Sequence, residues 1–125
     1  MRFFGLLRTV PKLTAPHGPR SVVTLRAGTV DTHSVTLHSH GTSTLYWQVD
    51  PGSAEGFPVW LVPLNATGKQ FGVGEFQVVF ELDATQLELG TSSSATTVRV
   101  VNTYGVGGTT LMDLDVVLQV RPTGC

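Results

Sequence analysis

The stretch EFQVVFELD, Glu75–Asp83, decides the fold. Its apolar residues Phe76, Val78, Phe80 and Leu82 alternate with mostly polar ones. Successive side chains of an extended chain point to opposite faces, so this alternation predicts a strand with one apolar and one polar face. Burial of such side chains stabilises a fold by about 1.5–3 kcal/mol each before entropy is subtracted, and it requires a second apolar layer. The sequence therefore predicts a strand that packs against another sheet.

Leu111–Arg121 shows the same alternation, and weaker versions of it occur in other segments. Aspartates on the core face would be strongly destabilising, which places Asp113 and Asp115 on the solvent face. Phe57–Leu64 is apolar throughout but contains Pro58 and Pro63, so we expect an edge strand or a crossover between sheets. Asn65–Gly74 reads as a loop. The predicted strands are about seven: 21–28, 32–40, 44–50, 57–64, 75–83, 94–103 and 111–121.

Composition agrees with this pattern. The chain has 125 residues, 41% of them hydrophobic and 14% charged, with 14 Gly and 7 Pro. This length and apolar content are enough for one domain with a real core, and short strands joined by turns are typical of this residue usage. We predict an all-β fold, an immunoglobulin-like antiparallel sandwich of two sheets.

The ends of the chain are expected to lie outside the sandwich. Residues 1–20 are basic and contain Pro11, Pro16, Pro19 and Gly18, which predicts a flexible lead-in. The sandwich would then cover residues 21–122 and a short tail residues 123–125. Cys125 is the only cysteine, so no internal disulfide is expected.

Charge is unevenly distributed. The formal net charge is −1, which gives no reason to expect a nucleic acid partner. Before Asp31 there is no acidic residue, whereas the same segment contains five basic ones: Arg2, Arg8, Lys12, Arg20 and Arg26. No apolar run is long enough for a membrane-spanning helix, so no membrane span is expected.

Several segments together resemble a known module. They are Trp47-Gln48-Val49, Pro58-Val59-Trp60-Leu61, Ala66-Thr67-Gly68, Val78–Asp83, Leu87 with Gly90, Val98-Arg99-Val100 and Leu114–Val120. This pattern resembles the BACON type of immunoglobulin-like module over about Ser21–Arg121. Ser34–Val49 is similar, more distantly, to the ASH/MSP type of immunoglobulin-like domain. Both resemblances imply a module attached to other domains, and neither transfers any ligand residue to this chain.

Exposed aromatic rings are the groups on which a sugar stacks. Tyr46, Trp60 and Tyr104 are the candidate carbohydrate-binding residues, although the prolines around Trp60 leave its orientation open. Trp47 has the same parity as Leu45 and Val49 and is expected in the core. Asn65-Ala66-Thr67 is a sequon, so Asn65 is a candidate N-glycosylation site in a secreted eukaryotic protein.

Histidines and carboxylates recur on the predicted strands, where they could form a metal or acid–base site or simply face solvent. His38 and His40 share a strand face and could bind a metal with His33 or Asp31, but exposed histidines without a ligand explain them better. If Glu81 and Asp83 lie on a strand next to Asp113 and Asp115, these carboxylates could serve acid–base chemistry or bind calcium, but a solvated acidic face is favoured. No catalytic motif, cofactor or metal is expected.

The sequence therefore predicts a non-catalytic structural, spacer or protein-interaction module of a larger protein. Its partners would be neighbouring domains or another protein. The alternative is a carbohydrate-binding module that takes a polysaccharide. An extracellular or cell-surface location is slightly favoured over a cytoplasmic or ciliary one.

Overall fold

Nine β-strands account for nearly all regular structure in residues 12–88, 91–103 and 109–122, which are the residues that the computed structural model describes. A short 3-10 turn, Ala84–Gln86, follows the seventh strand. In chain order the strands are β1 (Leu13–Thr14), β2 (Arg20–Arg26), β3 (Val30–Ser39), β4 (Leu45–Pro51), β5 (Leu61–Pro63), β6 (Thr67–Gln70), β7 (Gly74–Asp83), β8 (Ser93–Asn102) and β9 (Thr109–Arg121).

The strands form two sheets that pack face to face. The first has the order β1-β3-β7-β5 and the second has the order β2-β9-β8-β4-β6. Neighbouring strands are antiparallel except β2 and β9, which run parallel. The predicted all-β sandwich is confirmed.

The core lies between β3 and β7 of one sheet and β4, β8 and β9 of the other. The predicted alternation of Glu75–Asp83 is confirmed, since Val78, Phe80 and Leu82 are fully buried. On β9 the same holds for Leu114, Val116 and Leu118. Ten residues of β7 pair with ten residues of β3, so this strand pair presents one continuous apolar face to the other sheet.

The expectation of about seven strands is too low, because β1 and β6 were missed. Leu13 is only 7% exposed and β1 pairs with Ser39 and His38, so the sheet begins before Ser21. The prolines at 11 and 16 leave room between them for a two-residue strand that buries one leucine. Residues 1–11 of the predicted lead-in 1–20, and the predicted tail 123–125, lie outside the described ranges.

The segment Asn65–Gly74 is not only a loop, because β6 lies within it and pairs with β4. Gly68 makes this approach possible. A Cβ atom on Gly68 would lie 2.5 Å from Cζ2 of the Trp47 indole, so a side chain there would collide with the ring. Trp47 also stacks on Phe76, with 5.1 Å between ring centroids, and it lies in the core as predicted.

Phe57–Leu64 forms an edge strand and then a crossover between sheets, as predicted. Pro63 lies in β5, and the chain then crosses to β6 in the other sheet. The Asn65 side chain secures this crossing: its Nδ2 donates to the carbonyl of Gln77 and its Oδ1 accepts from the N–H of Val79, each at 2.8 Å. The amide side chain thus continues the pairing that the β5 backbone begins.

We expect Gly68→Ala to destabilise the fold. Alanine in a strand normally costs less conformational entropy than glycine. Here the added methyl group would displace the Trp47 ring, and overpacking of this kind costs about 1–3 kcal/mol. The free energy of unfolding in urea measures the loss. Thr67→Ala, at the adjacent exposed position of β6, is the control, and equal stability of both variants would contradict the contact.

Candidate functional site: an open sheet edge

The two sheets have four edges, and the strands at these edges differ greatly. β1 has two residues, β5 has three and includes a proline, and β6 has four. β2 has seven residues and no proline. Short strands and prolines are the usual means by which sheet edges avoid pairing with other chains. By this measure β2 is the least protected edge. We call Arg20–Arg26 the β2 edge.

The backbone of the β2 edge has free hydrogen-bonding groups. The N–H of Asp115 donates to the carbonyl of Pro19, and the N–H of Ala27 donates to the carbonyl of Arg121. The odd-numbered residues of β2 therefore bond to β9, because bonding groups alternate sides along a strand. The even-numbered residues point their N–H and C=O groups away from β9. Among the described residues, no strand pairs with this side of β2.

The even-numbered residues also place their side chains on the outer face of the sheet. Arg20, Val22, Thr24 and Arg26 are all exposed, and Val22 is 50% exposed. Two arginines flank a valine and a threonine, and β2 contains no acidic residue. The basic segment noted in the sequence therefore contributes its charge to an open strand edge.

The two arginines have different neighbours across the strand pair. Arg20 lies opposite Asp115, whose carboxylate accepts a hydrogen bond from Thr97 Oγ1 at 2.8 Å. Arg26 lies opposite Arg121. Beside Arg20 the sheet surface has a shallow depression of about 250 Å³, lined by Arg20, Ala95, Thr96, Thr97, Asp115 and Val117.

The predicted sugar-binding residues do not come together. Trp60 is 3% exposed and lies in the core, so its candidate role in stacking on a sugar is wrong. Its place at the end of the turn before β5 points the ring between the sheets. Tyr46 lies on the outer face of β4 and is half-buried. Tyr104 lies outside the described residues.

Phe71 was missed by the sequence analysis. It is 72% exposed, in the turn between β6 and β7. The Lys69 ammonium lies 5.7 Å from the Tyr46 ring centroid and 5.9 Å from that of Phe71, so one cation lies close to two aromatic rings. Phe71 lies in a glycine-rich turn, where no strand alternation directs a side chain into the core. Its position in the sequence could therefore have predicted its exposure.

The predicted acidic cluster is divided between the two sheets. Asp113 and Asp115 lie on β9, whereas Glu81 and Asp83 lie on β7 of the other sheet, so they cannot share a calcium ion. The Asp113 carboxylate pairs with Arg99, with 3.4 Å between Oδ1 and Nε. Asp83 accepts a hydrogen bond from the N–H of Thr85 and begins the 3-10 turn.

The histidines are also divided. His38 and His40 lie together at the surface, with ring centroids 4.4 Å apart, and His40 Nε2 is 2.9 Å from Thr14 Oγ1. His33 has the parity of Val35 and Leu37 and turns inward, opposite Phe80. Within the described ranges no group of three or more His, Cys, Asp or Glu side chains could hold a metal ion. Glycosylation of Asn65 stays a prediction.

Comparison with known proteins gives the fold a wider context. No family model matches the chain, and no curated protein matches it. Among solved structures, the ASH/PapD-like domain 7 of human CEP192 is similar with a TM-score of 0.67 and 16% identity, covering 99% of both chains. The chain has an immunoglobulin-like fold.

Two further structures share this immunoglobulin-like fold. A candidate carbohydrate binding protein from Bacteroides ovatus has a TM-score of 0.65 and 12% identity, covering 90% of this chain and 37% of its own. The E. coli chaperone DraB has a TM-score of 0.59 and 13% identity, covering 91% of this chain and 56% of its own. The chain thus spans only part of these two proteins. The comparisons support the immunoglobulin-like sandwich, while the BACON relationship stays a prediction.

The described helical structure is limited to short turns, and none of it has the length or apolar character needed to cross a bilayer.

Partial burial of His33 makes the stability of the immunoglobulin-like sandwich depend on pH. Desolvation lowers the pKa of His33, because burial disfavours the charged imidazolium. The unfolded chain therefore takes up a proton at His33 at a higher pH than the folded chain, and this favours unfolding as the pH falls below about 6.5. We expect the free energy of unfolding of the wild type to fall more steeply over this range than that of His33→Gln. Urea denaturation of both proteins at pH values above and below about 6.5 tests this. An equal change in the free energy of unfolding of the two proteins with pH would contradict it.

Proposed function

We propose that this chain is a non-catalytic protein-interaction module of a larger protein, and that it binds an extended segment of its partner along the β2 edge. The segment would add a sixth strand to the five-stranded sheet. One observation carries the proposal: the β2 edge combines seven residues, no proline and outward-pointing backbone groups. Addition of a strand to such an edge is a common mode of peptide recognition.

The energetics favour a weak, reversible contact. Val22 and Thr24 each offer an N–H and a C=O, and the N–H of Arg26 is a further donor. Each new backbone hydrogen bond contributes about 0.5–1.5 kcal/mol net. Five such bonds sum to about 2.5–7.5 kcal/mol before the loss of translational and rotational freedom on association is subtracted, so a single contact is weak. Such a module acts best when several domains of one protein bind together.

The rest of the surface supports a role without catalysis. The carboxylates of Asp113 and Asp115 are paired with Arg99 and Thr97, and His38 and His40 lie on the opposite sheet. A similar fold in chaperones of the DraB kind is consistent with contact to other polypeptides.

Thr24→Pro is the direct test of binding at this edge. Thr24 directs its N–H away from β9, so proline removes a donor for the partner and leaves the bonds to β9 intact. Thr24→Ala is the matched control, since it removes the same side chain and keeps the N–H. A library of random octapeptides, displayed in many copies on each phage so that several weak contacts act together, serves as the probe. We expect enriched peptides without proline that bind wild type and Thr24→Ala, and that lose at least tenfold in affinity, or about 1.4 kcal/mol, on Thr24→Pro.

Two results would overturn the proposal. One is a library that yields no enriched peptide. The other is a set of enriched peptides that bind Thr24→Pro as tightly as the wild type while circular dichroism shows that both proteins are folded.

Carbohydrate binding is the second candidate, favoured by the Tyr46, Lys69 and Phe71 arrangement. Two rings with a cation close to both provide stacking surface and a hydrogen-bond donor for a sugar. The similar fold of the Bacteroides ovatus protein is consistent with this.

Amide NMR spectra with and without a mixed plant and microbial oligosaccharide pool test the second candidate. We expect shifts confined to the Tyr46, Lys69 and Phe71 amides, and their loss in Phe71→Ala. Phe71 is largely exposed, so this variant keeps the core intact. Spectra that do not change with the pool would remove carbohydrate from consideration at this position.

A further inference from the structure

We propose that the segment bound by the β2 edge runs antiparallel to β2 and carries a carboxylate opposite Arg26 and an apolar residue opposite Val22. This rests on the proposed function and specifies the chemistry of its partner. In the partner's sequence the acid precedes the apolar residue by four positions. The pattern is acid-x-x-x-apolar, in an extended segment without proline.

The first argument is an unbalanced pair of like charges. Arg26 and Arg121 lie directly opposite each other and both are exposed. Like charges directly opposite in a sheet are destabilising. Within the described ranges neither guanidinium forms an ion pair, whereas Arg99 pairs with Asp113. A carboxylate on the partner strand beside Arg26 would relieve this repulsion.

The second argument comes from the other end of β2. Arg20 lies opposite Asp115 in the strand register, so its cross-strand neighbour is an acidic residue of this chain. The requirement for an acid is therefore stronger at Arg26 than at Arg20. This asymmetry gives the bound segment a preferred register.

The third argument concerns the middle of the edge. Val22 is 50% exposed on the same face as Arg26 and four residues before it. An apolar residue opposite Val22 would cover it, and such cross-strand pairs stabilise a sheet. The carbonyl of Arg26 already accepts from the N–H of Thr29 at 3.1 Å and from Thr29 Oγ1 at 2.6 Å, so the backbone bonds of the partner centre on Val22 and Thr24.

A second copy of this chain is a poor occupant. Full antiparallel pairing of two β2 strands would place Arg20 of each copy opposite Arg26 of the other. Two like-charge pairs would then oppose the association. The arginines that disfavour pairing of two β2 strands favour an acidic partner, because charge complementarity steers and orients binding. Antiparallel addition is chosen because antiparallel pairing is slightly more stable per residue than parallel pairing.

The test uses two capped synthetic peptides and the full chain. One peptide has a glutamate placed to lie opposite Arg26, a valine opposite Val22, and threonine, valine and serine elsewhere. The other has lysine in place of the glutamate. Fluorescence anisotropy gives their affinities for the wild type, Arg26→Glu, Arg26→Gln and the control Lys12→Glu, which makes the same change of charge at an exposed residue just before β1 of the other sheet.

We expect the wild type and Lys12→Glu to bind the glutamate peptide about tenfold more tightly than the lysine peptide, with a smaller ratio at high salt. Arg26→Glu should reverse the preference, and Arg26→Gln should abolish it.

The outcomes separate this inference from the proposed function. If all four proteins bind both peptides equally and Thr24→Pro abolishes binding, strand addition stands and the acidic partner is wrong. If neither peptide binds any variant, both are wrong. A preference for the lysine peptide in the wild type would overturn the acidic partner alone.

Discussion

The pairing of β3 with β7 is the constraint on which the rest of the structure depends. Ten residues of each strand are in register, and this register places Leu37, Phe80 and Leu82 on the same buried face. A shift of one residue would exchange the buried and exposed faces of β7 and bring Glu81 into the core. In the other sheet the register of β9 is fixed in the same way, because Asp113 and Asp115 lie on its solvent face and would be strongly destabilising in the core. The sandwich is therefore specified by two strands whose charges permit only one register.

The candidate site follows from how the chain enters this framework. β1 pairs with β3 in the smaller sheet, and β2 then joins the larger sheet beside β9. The crossing makes β2 an edge strand with one side bonded and the other side open. Because β2 comes from a segment without acidic residues, the edge is basic as well as open. Position in the fold and local composition together produce a surface that neither would produce alone.

Strand parity accounts for most of what the sequence could predict. It predicted β7, β9, the inward orientation of Trp47 and the position of β5 at a sheet edge, because apolar alternation and proline act locally. β6 was missed since Thr67–Gln70 has no apolar side chain and depends on a distant contact between Gly68 and Trp47. The orientation of Trp60 could not be predicted, because the nearby prolines interrupt the alternation of buried and exposed residues. Local patterns could not predict the β2 edge, since each residue of β2 pairs with a residue of β9 that lies 95 positions further along the chain.

Hydrogen exchange of individual amides in β2, followed by NMR, tests the central claim most directly. If β2 is bonded to β9 on one side and open on the other, the N–H groups of Val23 and Leu25 exchange slowly while those of Val22 and Thr24 exchange fast. This alternation between neighbouring residues is the result that the structure predicts. Slow exchange at all four amides would show that the edge is already covered. Fast exchange at all four would show that β2 is not paired with β9, and either result would contradict the account.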